Sequence, residues 1–304
     1  MSAPRFVLFG AGASYGSPGI VPVSPPLGRN LYPALRRAFP ATWGAFSNDL
    51  VPQFESHFEQ GLAALMRLYP GAVQPLRDGA PSPHALMKDM ARFFLAFELA
   101  PGRQDLYSRF LMSLLRSPNG TATAFATLNY EHLLERAMSG LGLKPKVLRP
   151  HGGCQLWPIS GGIIRAGQGR AIGAGMHSIS ARVRAAPSSR IHQRLNELDQ
   201  ARYPCMAMYM PGKNTQVGQR YLRRMQARFR ERVAESRTVV LIGVRPWDED
   251  THLWPSIYST SARVLYVGSD EDYRILASNR GRTRATLHIG DRFARVLDVL
   301  ADEM

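Results

Sequence analysis

Four short stretches of the chain carry residue types that can do chemistry. Gly10-Ala11-Gly12-Ala13-Ser14 follows the apolar run Phe6 to Phe9 directly, with Gly16 and Gly19 beyond it. Glycines at a strand end let the backbone turn tightly and approach a pyrophosphate, whose charge exposed amides can accept. Thr127-Leu128-Asn129-Tyr130-Glu131 closes a second apolar run, Phe125 to Leu128, and opens a helical pattern. Its Asn129 can both donate and accept hydrogen bonds. The same residues also read as a helix N-cap, with Asn129 as the cap and Glu131 and His132 in the first turn. Pro150-His151-Gly152-Gly153 sets a histidine, which titrates near neutral pH, in a turn after the strand-like stretch Lys146 to Leu148. The segment Gly243 to Asp250 follows the run Val239 to Ile242.

Two other motifs compete for the first stretch. A dinucleotide-binding unit of the dehydrogenase type wants an acidic residue about 20 positions on, to hold ribose hydroxyls. The chain has no acid before Asp49, so that reading is disfavoured. Gly12 to Gly16 also matches the G-x-S-x-G of a nucleophile elbow, which would make Ser14 an esterase nucleophile. An elbow directly after the first strand, with two further glycines ahead of the serine, suits a phosphate loop better.

These stretches need a scaffold, and the apolar runs supply one. Phe6 to Phe9, Phe125 to Leu128, Met206 to Met210, Val239 to Ile242, Val264 to Val267 and Thr286 to Ile289 read as strands buried on both faces, as in a parallel sheet. Helical patterns follow most of them: 28–39, 131–140, 218–235, 251–260, 271–279 and 291–301. The alternation predicts a single α/β domain over 1–304 with a Rossmann-like parallel sheet, whose ligands sit at the carboxyl ends of the strands. Two stretches interrupt it. Residues 42–117 hold only helix-like segments between Pro-rich and Gly-rich joints and read as a helical insertion; residues 152–175 are Gly-rich and read as a long loop over the site.

Composition narrows the class. The 38 Lys and Arg residues against 23 Asp and Glu give a net charge of +15, and all but Lys88, Lys144, Lys146 and Lys213 are arginines. Such a balance favours an anionic partner without naming one. The densest run, Arg220, Arg223, Arg224, Arg228, Arg230 and Arg232, lies opposite the stripe Leu222, Met225, Phe229 and Val233 on one amphipathic helix. It reads as a solvated face or as a surface for nucleic acid. Further basic runs are Arg182, Arg184, Arg190 and Arg194, and Arg280, Arg282 and Arg284. Cys154 and Cys205 are the only cysteines, too few for a disulfide framework or a four-Cys zinc site, and a reducing cytoplasmic compartment is expected. There is no signal-peptide pattern, and the longest strongly apolar stretch, 154–164, is too short to span a bilayer.

The order of the four stretches, GAGAS, TLNYE, HG and a strand ending in a loop from Gly243 to Asp250, resembles the sirtuin family, specifically the sirtuin-like NAD-consuming proteins of bacterial antiphage defence. The resemblance implies a sirtuin-type sheet. It further implies that Gly10, Ala11, Gly12 and Ser14 hold the phosphates of NAD, that Thr127 and Asn129 line the nicotinamide ribose, that His151 is the catalytic histidine, and that Gly243 and Asp250 close the far side. The sequence departs from the family at Leu128 (for Gln), at Glu131 (for Asp) and at Arg245 (for Ser). It also lacks the two Cys-x-x-Cys pairs that hold zinc in deacylating sirtuins. The expectation is therefore hydrolysis of NAD to nicotinamide and ADP-ribose without zinc, with deacylation disfavoured. By resemblance such proteins deplete NAD in defence, with low basal activity, as homo-oligomers or with a sensor partner. Two alternatives stay open: a non-catalytic module sensing NAD or ADP-ribose, and a nucleic-acid-binding component of a defence complex.

Overall fold

The computed structural model describes residues 4–46, 49–68, 82–102, 104–116, 123–159, 182–196, 204–207, 217–248, 250–281 and 285–304. From the N-terminus the elements are β1 (Arg5–Phe9), α1 (Ala11–Ser14), β2 (Ile20–Val21), α2 (Gly28–Ala38), α3 (Val51–Ser56), α4 (Phe58–Leu68), α5 (Pro83–Leu95), β3 (Glu98–Leu99) and α6 (Leu106–Arg116). There follow β4 (Thr123–Thr127), α7 (Leu133–Gly140), β5 (Val147–Leu148), β6 (Leu156–Pro158), β7 (Val183–Ala185), α8 (Ser188–Asn196) and α9 (Gln219–Glu235). The chain ends with β8 (Thr238–Ile242), α10 (Trp254–Ser259), β9 (Arg263–Val267), α11 (Asp270–Arg280), β10 (Thr286–Gly290) and α12 (Phe293–Glu303).

The chain forms two compact units: Met1–Pro25 with Phe97–Pro150 and Arg223–Met304, and Pro26–Ala96 with His151–Leu222. The first holds a six-stranded parallel sheet in the order β10-β9-β8-β1-β4-β5, flanked by helices, which is the expected α/β architecture. Every residue of β1 is buried, as is all but the first residue of β8 and of β9, which is why these strands read as unbroken apolar runs. The edge strands β5 and β10 are only partly covered. Phe6 and Leu8 enter a core with Val239, Leu241, Phe229 and Val233. The alternate residue Phe9 meets Tyr107, Phe110 and Phe293 at 5.2, 5.9 and 6.1 Å between ring centres. Thus β1 packs on both faces, and its second face fixes α6, which carries Tyr107.

In the second unit, Tyr32, Trp43, Phe46, Phe54 and Phe58 form an aromatic cluster among α2, α3 and α4. Strands β6 and β7 pair antiparallel, and Cys205 packs with Leu156, Val183, Ala207 and Leu222. The expected strand at Met206 is here an isolated bridge between Met206 and Gly152; residues 208–216 lie outside the described residues. The Gly-rich loop expected over 152–175 lies outside them from residue 160 onward.

The α9 helix follows its sequence pattern. Leu222, Met225, Phe229 and Val233 are buried, and all six of its arginines are exposed. Arg280 departs from its pattern. It is fully buried, donating to the carbonyls of Ile257 and Ala262 and to Thr286 Oγ1, so it secures the ends of α10 and β9 and is no part of a surface run. Arg282 and Arg284 lie outside the described residues. No described helix is long and apolar enough to cross a membrane.

Candidate active site

Parallel register brings three strand ends level. Phe9 pairs with Thr127 on one side and with Ile242 on the other, so Gly10, Leu128 and Gly243 leave the sheet side by side. The Leu128 amide donates to Phe9 O at 2.8 Å and the Gly10 amide to Ile242 O at 2.9 Å, extending the ladder one step past the strands. Because β1 is joined to neighbours that come from different parts of the chain, this end of the sheet is a topological switch point, where open α/β sheets bind ligands.

The β1 and β8 loops touch through bare backbone. A Cβ on Gly10 would lie 2.5 Å from Gly243 O, one on Gly12 would lie 2.7 Å from Gly243 Cα, and one on Gly243, whose φ is +62°, would lie 2.4 Å from the Gly12 carbonyl carbon. The Gly12 amide donates to Gly243 O at 3.1 Å. These glycines are therefore required by chain against chain, and the Gly12 amide is already engaged. Ala11 is exposed between them.

The β1 and β4 loops meet through side chains. Thr127 Oγ1 accepts from the Asn129 amide at 3.1 Å and sets the turn. Asn129 Nδ2 then lies 3.0 Å from Gly10 O and 3.1 Å from each of Ser14 Oγ, Tyr107 OH and Glu131 Oε1. Ser14 Oγ donates to Glu131 Oε1 at 2.5 Å and lies 2.7 Å from Tyr107 OH. Two amide hydrogens shared among these oxygens commit Nδ2 to the protein, so Asn129 meets any ligand through Oδ1, as an acceptor. Burial pushes the Glu131 carboxyl above its ordinary range, against the pull of Ser14, Arg149 and Asn129. Burial, and then the Glu131 charge, push Tyr107 well up, so it stays a phenol and donates.

Arg149 holds this turn from behind. It is 2 % exposed. It donates from Nε and Nη2 to the two carboxylate oxygens of Glu135, both at 2.6 Å, and from Nη1 and Nη2 to the carbonyls of Asn129 and Glu131, both at 2.8 Å. The two carbonyls it satisfies belong to the residues that flank Tyr130, so the turn is fixed by a single planar fork. Helix α7 starts only at Leu133, with His132 at its N-cap, so Asn129 does not cap it; its side chain turns back to the β1 loop instead.

Asp250 is buried in the sheet unit, and its carbonyl accepts from the amides of Leu253 and Trp254 where α10 begins. Arg245 is largely exposed, 3.4 Å from Asp272 Oδ1. His151 belongs to the other unit, where it is buried and its carbonyl accepts from Ala207 at 2.8 Å, next to Gly152 at φ +78°. The structure thus brings Gly10, Gly12, Ser14, Thr127, Asn129 and Gly243 together within the sheet unit. Tyr107, Arg149 and Glu135 escaped the sequence reading. Tyr107 lies 93 residues from Ser14, and one arginine in an arginine-rich chain carries no signal of its own.

The zinc of deacylating sirtuins does not fit these residues. Both cysteines are buried; Cys205 sits in an apolar cluster, and burial pushes its thiol up to about 12. Two cysteines do not supply the four thiolates of that site.

No family model and no curated protein matches the chain. Solved structures do. One, from work on the structural basis for the mechanism and regulation of Sir2 enzymes, is 13 % identical; the match covers 99 % of this chain and 92 % of that one, with a TM-score of 0.50. A Sir2 homolog–NAD complex is likewise 13 % identical, with 99 % and 89 % covered and a TM-score of 0.48. At this identity the likeness speaks to architecture, and the first of the two carries it: the chain has the sirtuin-like fold of the Sir2 enzymes.

Proposed function

We propose that the chain is an NAD glycohydrolase that cleaves the bond between nicotinamide and ribose to give nicotinamide and ADP-ribose. The observation that carries this reading is the buried cluster of Ser14, Asn129, Glu131 and Tyr107 beside the GAG turn, at the switch point of a sirtuin-like sheet. The resemblance makes NAD the substrate. Gly10, Ala11, Gly12 and Ser14 would take the phosphates, Thr127 and Asn129 the nicotinamide ribose, and Gly243 with Asp250 the far side.

Cleavage breaks the C–N bond at the anomeric carbon. Nicotinamide leaves with the electron pair, and the sugar gains oxocarbenium character. Water adds to that carbon and loses its proton to a base, a role that the resemblance gives to His151. Asn129, restricted to accepting through Oδ1, suits a donor partner: the attacking water or a ribose hydroxyl. The cluster holds Asn129 in one rotamer before substrate arrives, so orientation is not paid for at the moment of reaction.

The biological reading that goes with this chemistry is NAD depletion in antiphage defence, in the cytoplasm, as a homo-oligomer or with a sensor partner. A free, always-active enzyme of this kind would harm its host, so basal turnover is expected to be low. The test is incubation of the purified chain with NAD, with and without candidate triggers, and chromatography of the products. Nicotinamide and ADP-ribose are expected from the wild type, and at least a hundredfold less from Asn129→Ala and from His151→Ala, with the fold of each variant intact by circular dichroism. Stabilisation by NAD without any nicotinamide would replace the enzyme with a sensing module.

A further inference from the structure

The α9 arginines are arranged at a cost to the helix that carries them. From Gln219 to Arg230 there is no acid, and Arg220, Arg224 and Arg228 follow one another at i,i+4, a like-charge spacing that destabilises a helix. Only in the last turns do Glu231 and Glu235 appear, and Arg232 pairs with Glu235 at 2.9 Å. Arg223, Arg228 and Arg230 are exposed and have no ion-pair partner among the described residues. A polyanion laid across them would relieve the repulsion.

The chemistry of the face selects among polyanions. A membrane-surface helix needs a free apolar side, whereas Met225, Phe229 and Val233 are 5 %, 0 % and 1 % exposed and already belong to the protein interior. Protein partners are held chiefly by Trp, Tyr and Arg packed in desolvated pockets, whereas the α9 arginines are exposed and no large exposed apolar residue of α9 stands among them. What the face offers is guanidinium groups, whose planar forks take phosphate oxygens in pairs. From Arg223 to Arg232 they span about 13.5 Å at 1.5 Å per residue, a length over which a duplex presents several phosphates. We propose that the α9 face from Arg223 to Arg232 docks the phosphate backbone of nucleic acid without regard to sequence. This surface is independent of the NAD chemistry proposed above.

The experiment measures binding of the full chain to fluorescent 20-base-pair duplexes of two unrelated sequences at 50 and 200 mM salt. Four to five phosphate contacts predict equal affinity for both duplexes and a loss of about 150- to 500-fold across that salt range. Arg223→Gln, Arg228→Gln and Arg230→Gln combined should weaken binding more than tenfold at 50 mM and reduce the log–log salt slope by about 2.7. The same three positions changed to Lys should restore most of the slope, so a misfolded glutamine variant cannot mimic the result. Arg274→Gln, Arg292→Gln and Arg295→Gln remove equal charge from exposed positions that already face Asp270 and Asp291, and should leave binding nearly intact. Absence of binding at 50 mM, equal loss in the two glutamine variants, or a preference for polyglutamate over the duplexes would each overturn the proposal.

Discussion

Strand β1 is flanked at its carboxyl end by two contacts of opposite construction. Toward β4 the contact is made by side chains: Ser14, Tyr107, Asn129 and Glu131 share hydrogen bonds, with Arg149 gripping the turn behind them. Toward β8 it is made by backbone alone, with Gly10 and Gly12 pressed against Gly243. The β4 side depends on partners that long-range folding must deliver, from α6 and from the segment after β5. The β8 side depends on the lack of atoms, a condition that sequence writes directly as glycine. A side-chain network fails in proportion to the charge or bond removed, whereas a backbone contact fails for any added carbon.

The largest expected effect separates these two modes. Arg149→Met keeps apolar bulk and removes the fork, and with it the hydrogen bonds that Arg149 gives to the carbonyls of Asn129 and Glu131 and to the part-buried Glu135 carboxylate. Breaking such a pair should cost about 3–5 kcal/mol, read as a lower denaturant midpoint. A loss within 1 kcal/mol would mean that the turn is held without Arg149. Gly243→Ala comes next. Its Cβ would sit 2.4 Å from a backbone carbon at a φ of +62°, so overpacking and backbone strain together should cost about 2–3 kcal/mol. Wild-type stability in that variant would show the β8 contact to be as adaptable as a side-chain network.

The same division explains what could be read in the sequence. The buried strands were legible because burial on both faces leaves continuous apolar runs, and α9 because its apolar stripe repeats at helical spacing. Gly10, Gly12 and Gly243 were legible as glycines, but their first requirement is each other; a phosphate explains their type equally well, and sequence cannot separate the two demands. Asn129 stood out by position, yet its partners did not, since Tyr107 and Arg149 come from segments with no local mark. Arg280 shows the reverse error: it has the type and company of a surface charge, and only the fold reveals that it binds the carbonyls of Ile257 and Ala262. Of the Met206 run only Met206 and Ala207 lie within the described residues, and Met206 pairs with Gly152 as an isolated bridge.

The smallest expected effect concerns the charge inside the β4-side network, and it is read as a slope. Burial raises the folded-state value of Glu131 above the ordinary 4.5. A carboxyl raised in this way favours folding while protonated; its contribution is complete below about pH 4.5 and is lost as pH rises through the raised folded value. Glu131→Gln keeps an oxygen for Ser14 Oγ and for Asn129 Nδ2 but cannot ionise, so any fixed cost of its extra amide hydrogens is the same at every pH. The stability of wild type relative to the variant should therefore fall between pH 4 and pH 7, measured by denaturant unfolding at each pH. A gap that instead grows with pH would mean that the donors Ser14 and Asn129, together with Arg149, outweigh burial. The network would then hold a carboxylate rather than tolerate one, and the β4 side would be built around a fixed negative charge next to the proposed site of oxocarbenium formation.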